Sequence, residues 1–315
     1  MKIALIICVS VLVLFFISLY LLFVFTFYSG KKRKRDPYYG TYGEETKIKK
    51  LSRCCIDLAV AMKYEKVSVK SRDGLLLTGK YYAVKEGAPI QIQFHGYRSV
   101  ALHDFSGGSV EAVKTGHNVL LVDQRAHGDS EGRVISFGIN ERYDVLSWID
   151  FALERFGADT EIILAGISMG AATVLMASEL NLPENVKGII ADCPYSSPAE
   201  IIKKVSRDMK IPPMLSYPLI KLSARLFGGF NLEESSSVGA LRNAKIPVLL
   251  IHGEGDNFVP CDMSRDIARV NSRVRLVTFR EAGHGLSYIY DKDGYTEELN
   301  EFYKTVLKQE ENKNA

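Results

Sequence analysis

The sequence predicts an α/β protein in which a mostly parallel sheet carries helices on both faces. Short apolar runs typical of buried strands alternate with segments of helical periodicity from about residue 65 onward. Within this alternation, a strand-like run at residues 161–165 leads into G-x-S-x-G at residues 166–170, and a helix-forming run follows. A serine on such a reversal needs small neighbours because the backbone doubles back, and the turn exposes its hydroxyl above the sheet.

Length and charge narrow the choice of function. The 315 residues are enough for one large domain with a sizeable core. Six of the 40 basic side chains and none of the 37 acidic ones lie in residues 1–35, so the rest of the chain carries a net charge of −3. This distribution gives no support to a nucleic-acid partner. A basic run beside an apolar span is better interpreted as a membrane topology signal.

Residues 3–28 are almost continuously apolar and long enough to cross a bilayer as a helix. A secretory signal peptide has a shorter apolar core and a small-residue cleavage site, so an uncleaved anchor is the better interpretation. We predict a single-pass transmembrane anchor over residues 1–30, a basic juxtamembrane linker over 31–46 and one folded domain over 47–315. Phe27 and Tyr28 are expected at the membrane interface.

The side of the membrane that holds the domain follows from the basic residues. Five of them, at positions 31–35, come after the span and Lys2 precedes it. Basic flanks stay on the cytoplasmic side, which favours a cytoplasmic domain. The alternative is an extracellular domain, since a two-residue N-terminus with one lysine also suits an exported anchor.

The folded domain opens with a predicted helix over residues 47–64. A hairpin follows, with strands at 65–70 and 75–82 around the turn Asp73-Gly74. Further strands are predicted from apolar runs at residues 90–94, 118–122, 161–165, 185–191, 247–251 and 273–279. Helices are predicted at residues 105–115, near the surface, and at 141–156, 171–177 and 295–308, with a polar tail after the last.

One segment interrupts this rhythm. Residues 194–245 contain short apolar helical pieces separated by prolines, where a direct crossover needs far fewer residues. We predict an inserted helical cap at about residues 195–245. Its apolar side chains either line a binding site or simply pack on the core, and packing accounts for most of them.

A serine hydroxyl needs a base, and the base needs a carboxylate to orient it. Of the six histidines, His284 stands after a predicted strand and before the last helix, where a loop can bring it over Ser168. Asp256 follows the strand at residues 247–251 and is the predicted carboxylate, with Glu254 as the backup. A loop aspartate that caps the next helix is the structural alternative.

The negative charge that develops on a carbonyl oxygen needs two backbone donors. The N–H of Met169, directly after the serine, is one candidate. The N–H of Tyr97, in the loop after the strand that ends in His95-Gly96, is the other. No G-x-G-x-x-G follows a strand and no C-x-x-C is present, so we predict no nucleotide cofactor and no metal. The five cysteines are expected to be reduced thiols.

These motifs together make the chain resemble the α/β-hydrolases, including bacterial membrane-anchored members and the monoacylglycerol lipase and serine aminopeptidase branch. The resemblance rests on five segments over about residues 65–308: residues 94–97, 123–132, 166–170, 252–260 and 283–284. It implies an α/β-hydrolase fold. The order Ser168, Asp256, His284 is the chain order of that family. Ala126 departs from the family pattern, which usually has glycine there.

The sequence therefore predicts a membrane-anchored serine hydrolase that cleaves acyl esters, in the manner of a carboxylesterase or lipase. The apolar cap and the anchor together suggest an acyl-chain or lipid substrate. Two alternatives are open at this point: a serine peptidase or acylaminoacyl peptidase with the same three residues, and a non-catalytic binding protein of the same fold.

Overall fold

The computed structural model describes residues 1–30, 36–42 and 46–307. The predicted basic run at residues 31–35, part of the predicted linker and the polar tail from residue 308 lie outside the described residues. In the described part, the strands are β1 Glu65–Lys70, β2 Leu76–Tyr82, β3 Ile90–Phe94, β4 Asn118–Asp123, β5 Ile162–Ile167, β6 Val186–Asp192, β7 Val248–Gly253 and β8 Val274–Phe279.

The helices of the described residues are α1 Lys2–Phe27, α2 Lys47–Ala61, α3 Ala101–Asp104, α4 Ser106–Lys114, α5 Glu141–Phe156, α6 Met169–Ala177, α7 Pro198–Asp208, α8 Pro213–Ser223, α9 Ser237–Leu241, α10 Asp262–Ala268, α11 Ser287–Tyr290 and α12 Lys292–Val306. A π-helical turn, Ala224–Gly228, continues α8. Thus α7, α8, the π turn and α9 all lie between β6 and β7, in the segment that contains the predicted cap.

The strands form one twisted layer in the order β1-β2-β4-β3-β5-β6-β7-β8. β2 is antiparallel to both of its neighbours, and the pairs from β4 through β8 are parallel. Parallel neighbours require crossovers, and these supply the helices that cover both faces. The predicted fold class, a mostly parallel sheet between helical layers, is confirmed.

Two apolar cores flank the sheet, and a third lies under the cap. One face packs on α5 and α6, where Trp148 is fully buried. The other face packs on α4 and α12 through Phe105 and Phe302. The third core joins the cap to α1 and to the loop before α5, and it includes Phe27, Phe137 and Phe230. The C-terminal end of α1 is therefore part of the folded domain.

α1 is long and apolar enough to cross a membrane, judged by its length and composition. Most of its side chains are exposed in the described structure, whereas Leu19, Phe23 and Phe27 are buried against the cap. After the helix, Tyr28 forms an antiparallel bridge with Val134. The end of α1 is thus held by both apolar packing and backbone hydrogen bonds.

The helix predicted at residues 105–115 is present as α4, but it does not lie at the surface. The separate short helix α3 precedes it, and α2 covers it, so that Glu111 is buried. Gly107 lies inside α4. The ring of Tyr288 packs so closely there that a Cβ on Gly107 would overlap it. Glycine serves helix packing at this position.

Candidate active site

Ser168 lies at the reversal between β5 and α6, and its backbone has a φ of +55°. This left-handed region is costly for a residue with a Cβ and is found where surrounding structure enforces it. The two flanking glycines explain how the turn closes. A Cβ on Gly170 would overlap the carbonyl of Phe94, and one on Gly166 would overlap the backbone of Gly170. The close approach expected from the sequence is therefore present.

The side chain of Ser168 begins a chain of hydrogen bonds. Its Oγ lies 2.9 Å from Nε2 of His284, and Nδ1 of His284 lies 2.6 Å from Oδ2 of Asp256. With its proton on Nδ1, the imidazole donates to the carboxylate and accepts from the serine hydroxyl. The structure thus brings together the three side chains that the sequence nominated from segments far apart in the chain.

Asp256 is buried and held from several directions. Its Oδ1 accepts the backbone N–H groups of Phe258 and Val259, at 2.8 and 2.9 Å. Nε2 of His252 lies 3.3 Å from Oδ2. Burial would raise the pKa of this carboxyl, but the hydrogen bonds from His252 and His284 and the charge on His284 lower it below its ordinary value. Asp256 is therefore a carboxylate at neutral pH.

His252 is a functional neighbour of Asp256 that the sequence reasoning above does not single out from the other histidines. Its Nε2 donates to the carbonyl of Val259, and its Nδ1 lies 2.7 Å from the hydroxyl of Ser264 on α10. It therefore fixes the loop that carries Asp256. The four-residue spacing of His252 and Asp256 around a strand end was the available signal.

Glu254, the backup carboxylate, points elsewhere. Its Oε1 accepts from the hydroxyl of Thr278 on β8 at 2.9 Å, and Arg265 lies 3.7 Å away. Asp256, by contrast, contacts His284 directly. The geometry distinguishes the two acids where the sequence left both open.

The two candidate backbone donors are both near Ser168: Met169 follows it in the chain, and Tyr97 lines the same cavities as Ser168. Met169 is the first residue of α6, so its N–H has no intrahelical acceptor by position. Gly96, next to Tyr97, lies against the serine, and a Cβ there would be 3.4 Å from the Ser168 Cβ. The loop is fixed by two bonds: Gly96 N–H donates to Asp104, and Arg98 N–H donates to His127.

The side chain of Tyr97 has a second role. Its ring stacks on Phe137 with centroids 4.9 Å apart, and its hydroxyl donates to the carbonyl of Thr26 in α1 at 2.7 Å. Arg98 also contacts this end of the helix, donating to the carbonyls of Phe25 and Tyr28 at 2.8 and 3.0 Å. The loop beside the serine is therefore bonded to the last turn of α1.

Two cavities meet at Ser168. The first, about 340 Å³, has a predominantly aliphatic and aromatic lining from α1, α7 and α8. The second, about 290 Å³, is more polar and is lined by His284, Asp104 and Ser99 among others. Within the described residues, His284 lines the second cavity but not the first. A substrate whose carbonyl group lies at Ser168 would therefore extend one end into each of the two cavities.

Two buried residues behind the serine were not predicted from the sequence. Asp192 ends β6, and its carbonyl accepts the Ser168 N–H at 2.8 Å. Burial raises the pKa of its carboxyl to about 6, although Tyr295 donates a hydrogen bond to it. Cys193 follows, with a φ of +46°. Burial raises the pKa of its thiol, so it stays neutral and is not a competing nucleophile.

The loop after β4 is fixed by a buried guanidinium. Arg125 makes paired hydrogen bonds to Asp144 on α5, both 2.6 Å, and to Asp73 in the β1–β2 turn, at 2.9 and 3.0 Å. Ala126, the departure from the usual glycine, has a φ of +64°. Glycine adopts that conformation without a Cβ penalty, which explains the usual preference.

Comparison with known proteins supports this assignment of the fold. A family model described as the alpha/beta hydrolase fold matches residues 94–218. The uncharacterized protein YqkD of Bacillus subtilis is 26% identical over 189 residues, which cover 59% of this chain and 62% of YqkD. Human protein ABHD12B is 27% identical over 62% of this chain and 56% of its own length. The rat lysophosphatidylserine lipase ABHD12 is 24% identical over 70% and 57%. The matches thus span somewhat more than half of these relatives.

Solved structures give the same fold. An esterase of Pyrococcus furiosus, Pf2001, superposes with a TM-score of 0.65 at 23% identity, covering 85% of this chain and 96% of the esterase. The acylaminoacyl peptidase of Pyrococcus horikoshii superposes with a TM-score of 0.59 at 20% identity, covering 79% of this chain and 43% of the peptidase.

Proposed function

This chain is a member of the α/β-hydrolase superfamily, and from that premise we propose that it is a membrane-anchored serine hydrolase that cleaves acyl esters through an acyl-enzyme. The observation that carries the proposal is the hydrogen-bonded chain from Ser168 through His284 to Asp256 at a strained strand–helix turn. A nucleophile, a base and an orienting carboxylate within hydrogen-bond distance are the requirements for this chemistry.

In the proposed reaction, Ser168 Oγ attacks the ester carbonyl while His284 Nε2 takes its proton. The N–H groups of Met169 and Tyr97 hold the oxyanion. The resulting imidazolium donates its proton to the leaving alcohol as the C–O bond breaks, which leaves an acyl group on Ser168. Water, activated by His284, then hydrolyses the acyl-enzyme. Asp256 stays ionised throughout and stabilises the charged imidazole.

The two cavities support an orientation for the substrate. His284 must reach the leaving oxygen to protonate it, so the alcohol belongs in the more polar cavity that His284 lines. The acyl group then occupies the apolar cavity on the other side of Ser168. This lining favours a hydrocarbon acyl chain over an acetyl group, since each buried methylene contributes about 0.8 kcal/mol. The name of the rat relative, a lysophosphatidylserine lipase, agrees with an acyl-lipid substrate.

A fluorophosphonate probe tests the proposal directly, because it labels a serine only where a neighbouring base activates it. We expect the wild-type protein to be labelled and Ser168→Ala to remain unlabelled. A serine away from the strand–helix turn offers a control: Ser178 follows the last residue of α6, and Ser178→Ala should label like wild type. An unlabelled wild-type protein would instead favour the non-catalytic binding protein.

The rates of ester cleavage and of peptide cleavage can be compared in the same preparation. The fold is shared with an acylaminoacyl peptidase, but the aliphatic lining of the first cavity favours an acyl chain. The proposal therefore requires p-nitrophenyl esters of medium-length acids to be cleaved faster than aminoacyl-naphthylamides.

The anchoring part of the proposal rests on α1, which has the length and composition of a membrane span. The proposed side is the cytoplasm, with the extracellular side as the alternative. We expect the domain to resist protease added to intact cells and to become sensitive once the membrane is opened. Digestion in intact cells would place it outside.

A further inference from the structure

α1 does more than end beside the active site, because three of its residues line the apolar cavity. Leu22, Phe25 and Thr26 form one wall of the cavity that reaches Ser168. Facing side chains come from α7 and α8, among them Ile202 and Ile220. The contribution of α1 is local to its last two turns, where the helix packs on the cap.

The position of this wall is set by hydrogen bonds and not by apolar contact alone. The Thr26 carbonyl accepts from the Tyr97 hydroxyl, and the carbonyls of Phe25 and Tyr28 accept from the Arg98 guanidinium. A cation at a helix C-terminus also complements the helix dipole. The helix end and the loop beside Ser168 therefore form one bonded unit.

The length of α1 places this unit at the bilayer surface. About 20 residues of helix cross the hydrocarbon layer of about 30 Å. The helix has 26 residues, so roughly the last six, about 9 Å of helix at 1.5 Å per residue, lie at or near the headgroup boundary. Contact with the cap begins slightly deeper, where Tyr20 and Phe23 pack on Phe227 with ring centroids 5.3 and 5.8 Å apart.

The cap presents an exposed apolar face beside α1. We call this the cap face. It consists of these residues on or next to α8 and the π turn: Met209, Ile211, Met214, Leu215, Leu219, Leu222 and Leu226. Met214 is 82% exposed and Leu215 is 63% exposed. An apolar surface of this kind on a soluble domain indicates a binding surface. Its continuity with a membrane-spanning helix identifies the occupant as the bilayer.

The cap face and the cavity share a rim. Met209 and Ile211 belong to the cap face and also line the cavity. Phe25 of α1, 62% exposed, lies on the same rim. An acyl chain can therefore pass from hydrocarbon to Ser168 along apolar side chains.

We propose that α1 is a wall of the acyl-binding site and that this hydrolase takes a single-chain acyl lipid directly from the bilayer. This proposal rests on the proposed function above. A cavity of about 340 Å³ is at the small end of the range for ligand sites, which suits one acyl chain. The polar cavity beside His284 receives the headgroup alcohol.

The first arm of the test narrows the cavity from the side of α1. Leu22→Trp in the full-length protein, reconstituted in phosphatidylcholine vesicles, should lower kcat/KM for p-nitrophenyl laurate at least about tenfold, the scale of a one-methylene misfit in an apolar pocket. The loss of kcat/KM for p-nitrophenyl acetate should be smaller than the loss for p-nitrophenyl laurate, since an acetyl group places fewer methylenes against this wall. The matched control is Leu21→Trp, on the neighbouring residue that is 61% exposed, and it should leave both activities unchanged.

The outcomes separate this proposal from the one it rests on. If wild type cleaves neither ester and is not labelled by a fluorophosphonate, the proposed function fails. If wild type is active but the two tryptophan variants behave alike, α1 is not a wall of the site. Should Leu22→Trp also lose acetate activity through misfolding, Leu22→Ala decides: it should shift the preferred acyl chain to longer esters, and an unshifted preference overturns the proposal.

The second arm tests contact of the cap face with the bilayer. The sequence has one tryptophan, Trp148, which is fully buried and shared by all variants. The fluorescence of Met214→Trp should be quenched by vesicles of brominated phosphatidylcholine. Val84→Trp is the control. Val84 is exposed in the loop before β3, at the end of the parallel strands opposite to the end that carries Ser168. Equal quenching of both variants, or of neither, overturns entry from the bilayer.

Discussion

Replacing Asp256 by asparagine is expected to lower kcat for ester hydrolysis by about ten-thousand-fold, the scale seen when the orienting carboxylate of such a triad is lost. The reason lies in the two backbone N–H groups, of Phe258 and Val259, that Oδ1 accepts. An asparagine must keep its carbonyl oxygen there. Its NH₂ then faces His284 Nδ1, which becomes an acceptor, and the ring proton moves to Nε2. That tautomer cannot accept the proton of Ser168.

The matched control is Glu254→Gln. Glu254 is two residues away in the same loop but bonds Thr278 instead of His284. We expect its kcat to stay within about threefold of wild type, since a single neutral change at an exposed site is usually worth under about 0.5 kcal/mol. Steady-state kinetics on p-nitrophenyl esters measures both variants. Equal losses in both, or near-wild-type activity in Asp256→Asn, would remove Asp256 from the proposed mechanism.

Arg125→Met is expected to destabilise the protein by about 3–5 kcal/mol, the cost of breaking a buried ion pair from one side. Arg125 is buried, as is Asp144, and the substitution leaves that carboxylate without its cation. The link from α5 to the β1–β2 turn through Asp73 is lost as well. Urea unfolding in detergent, followed by far-UV circular dichroism, gives the free energy of unfolding.

Two further variants show whether burial of the ion pair is the cause of the lost stability. Arg269→Met removes an ion pair with Asp266 in which both side chains are more than half exposed, and it should cost at most about 1 kcal/mol. Adding Asp144→Asn to Arg125→Met removes the stranded charge and should restore part of the stability. A double variant less stable than Arg125→Met alone would contradict this account.

The parts of the fold that could be predicted from the sequence are those with local causes. The buried strands are short apolar runs, and the reversal at Ser168 follows from Gly166 and Gly170, whose spacing allows the backbone to fold onto itself. The chain order of Ser168, Asp256 and His284 could likewise be predicted from the sequence. Each is placed at the end of a strand, and the carboxyl ends of parallel strands meet at one edge of a sheet.

What could not be predicted depends on contacts between distant segments. His252 holds Asp256 because β7, its loop and α10 converge, and the four-residue spacing of His252 and Asp256 does not by itself report that convergence. The end of α1 is a stronger case. Hydropathy treats residues 3–28 as one uniform span, whereas packing on the cap buries Phe27 and leaves Leu21 exposed. Apolar side chains are equally compatible with contact to lipid and with burial in the protein core.

The docked end of α1 has a practical consequence for protein production. Removal of an apolar N-terminal span is one way to obtain a protein without its membrane segment. Here a cut after residue 30 would remove Phe27 from between Phe137 and Phe230, whose ring centroids lie 5.8 and 5.3 Å from its own. It would also expose the cap core to solvent and to self-association. Substrate profiles for this hydrolase are therefore best measured on the intact chain in a lipid environment.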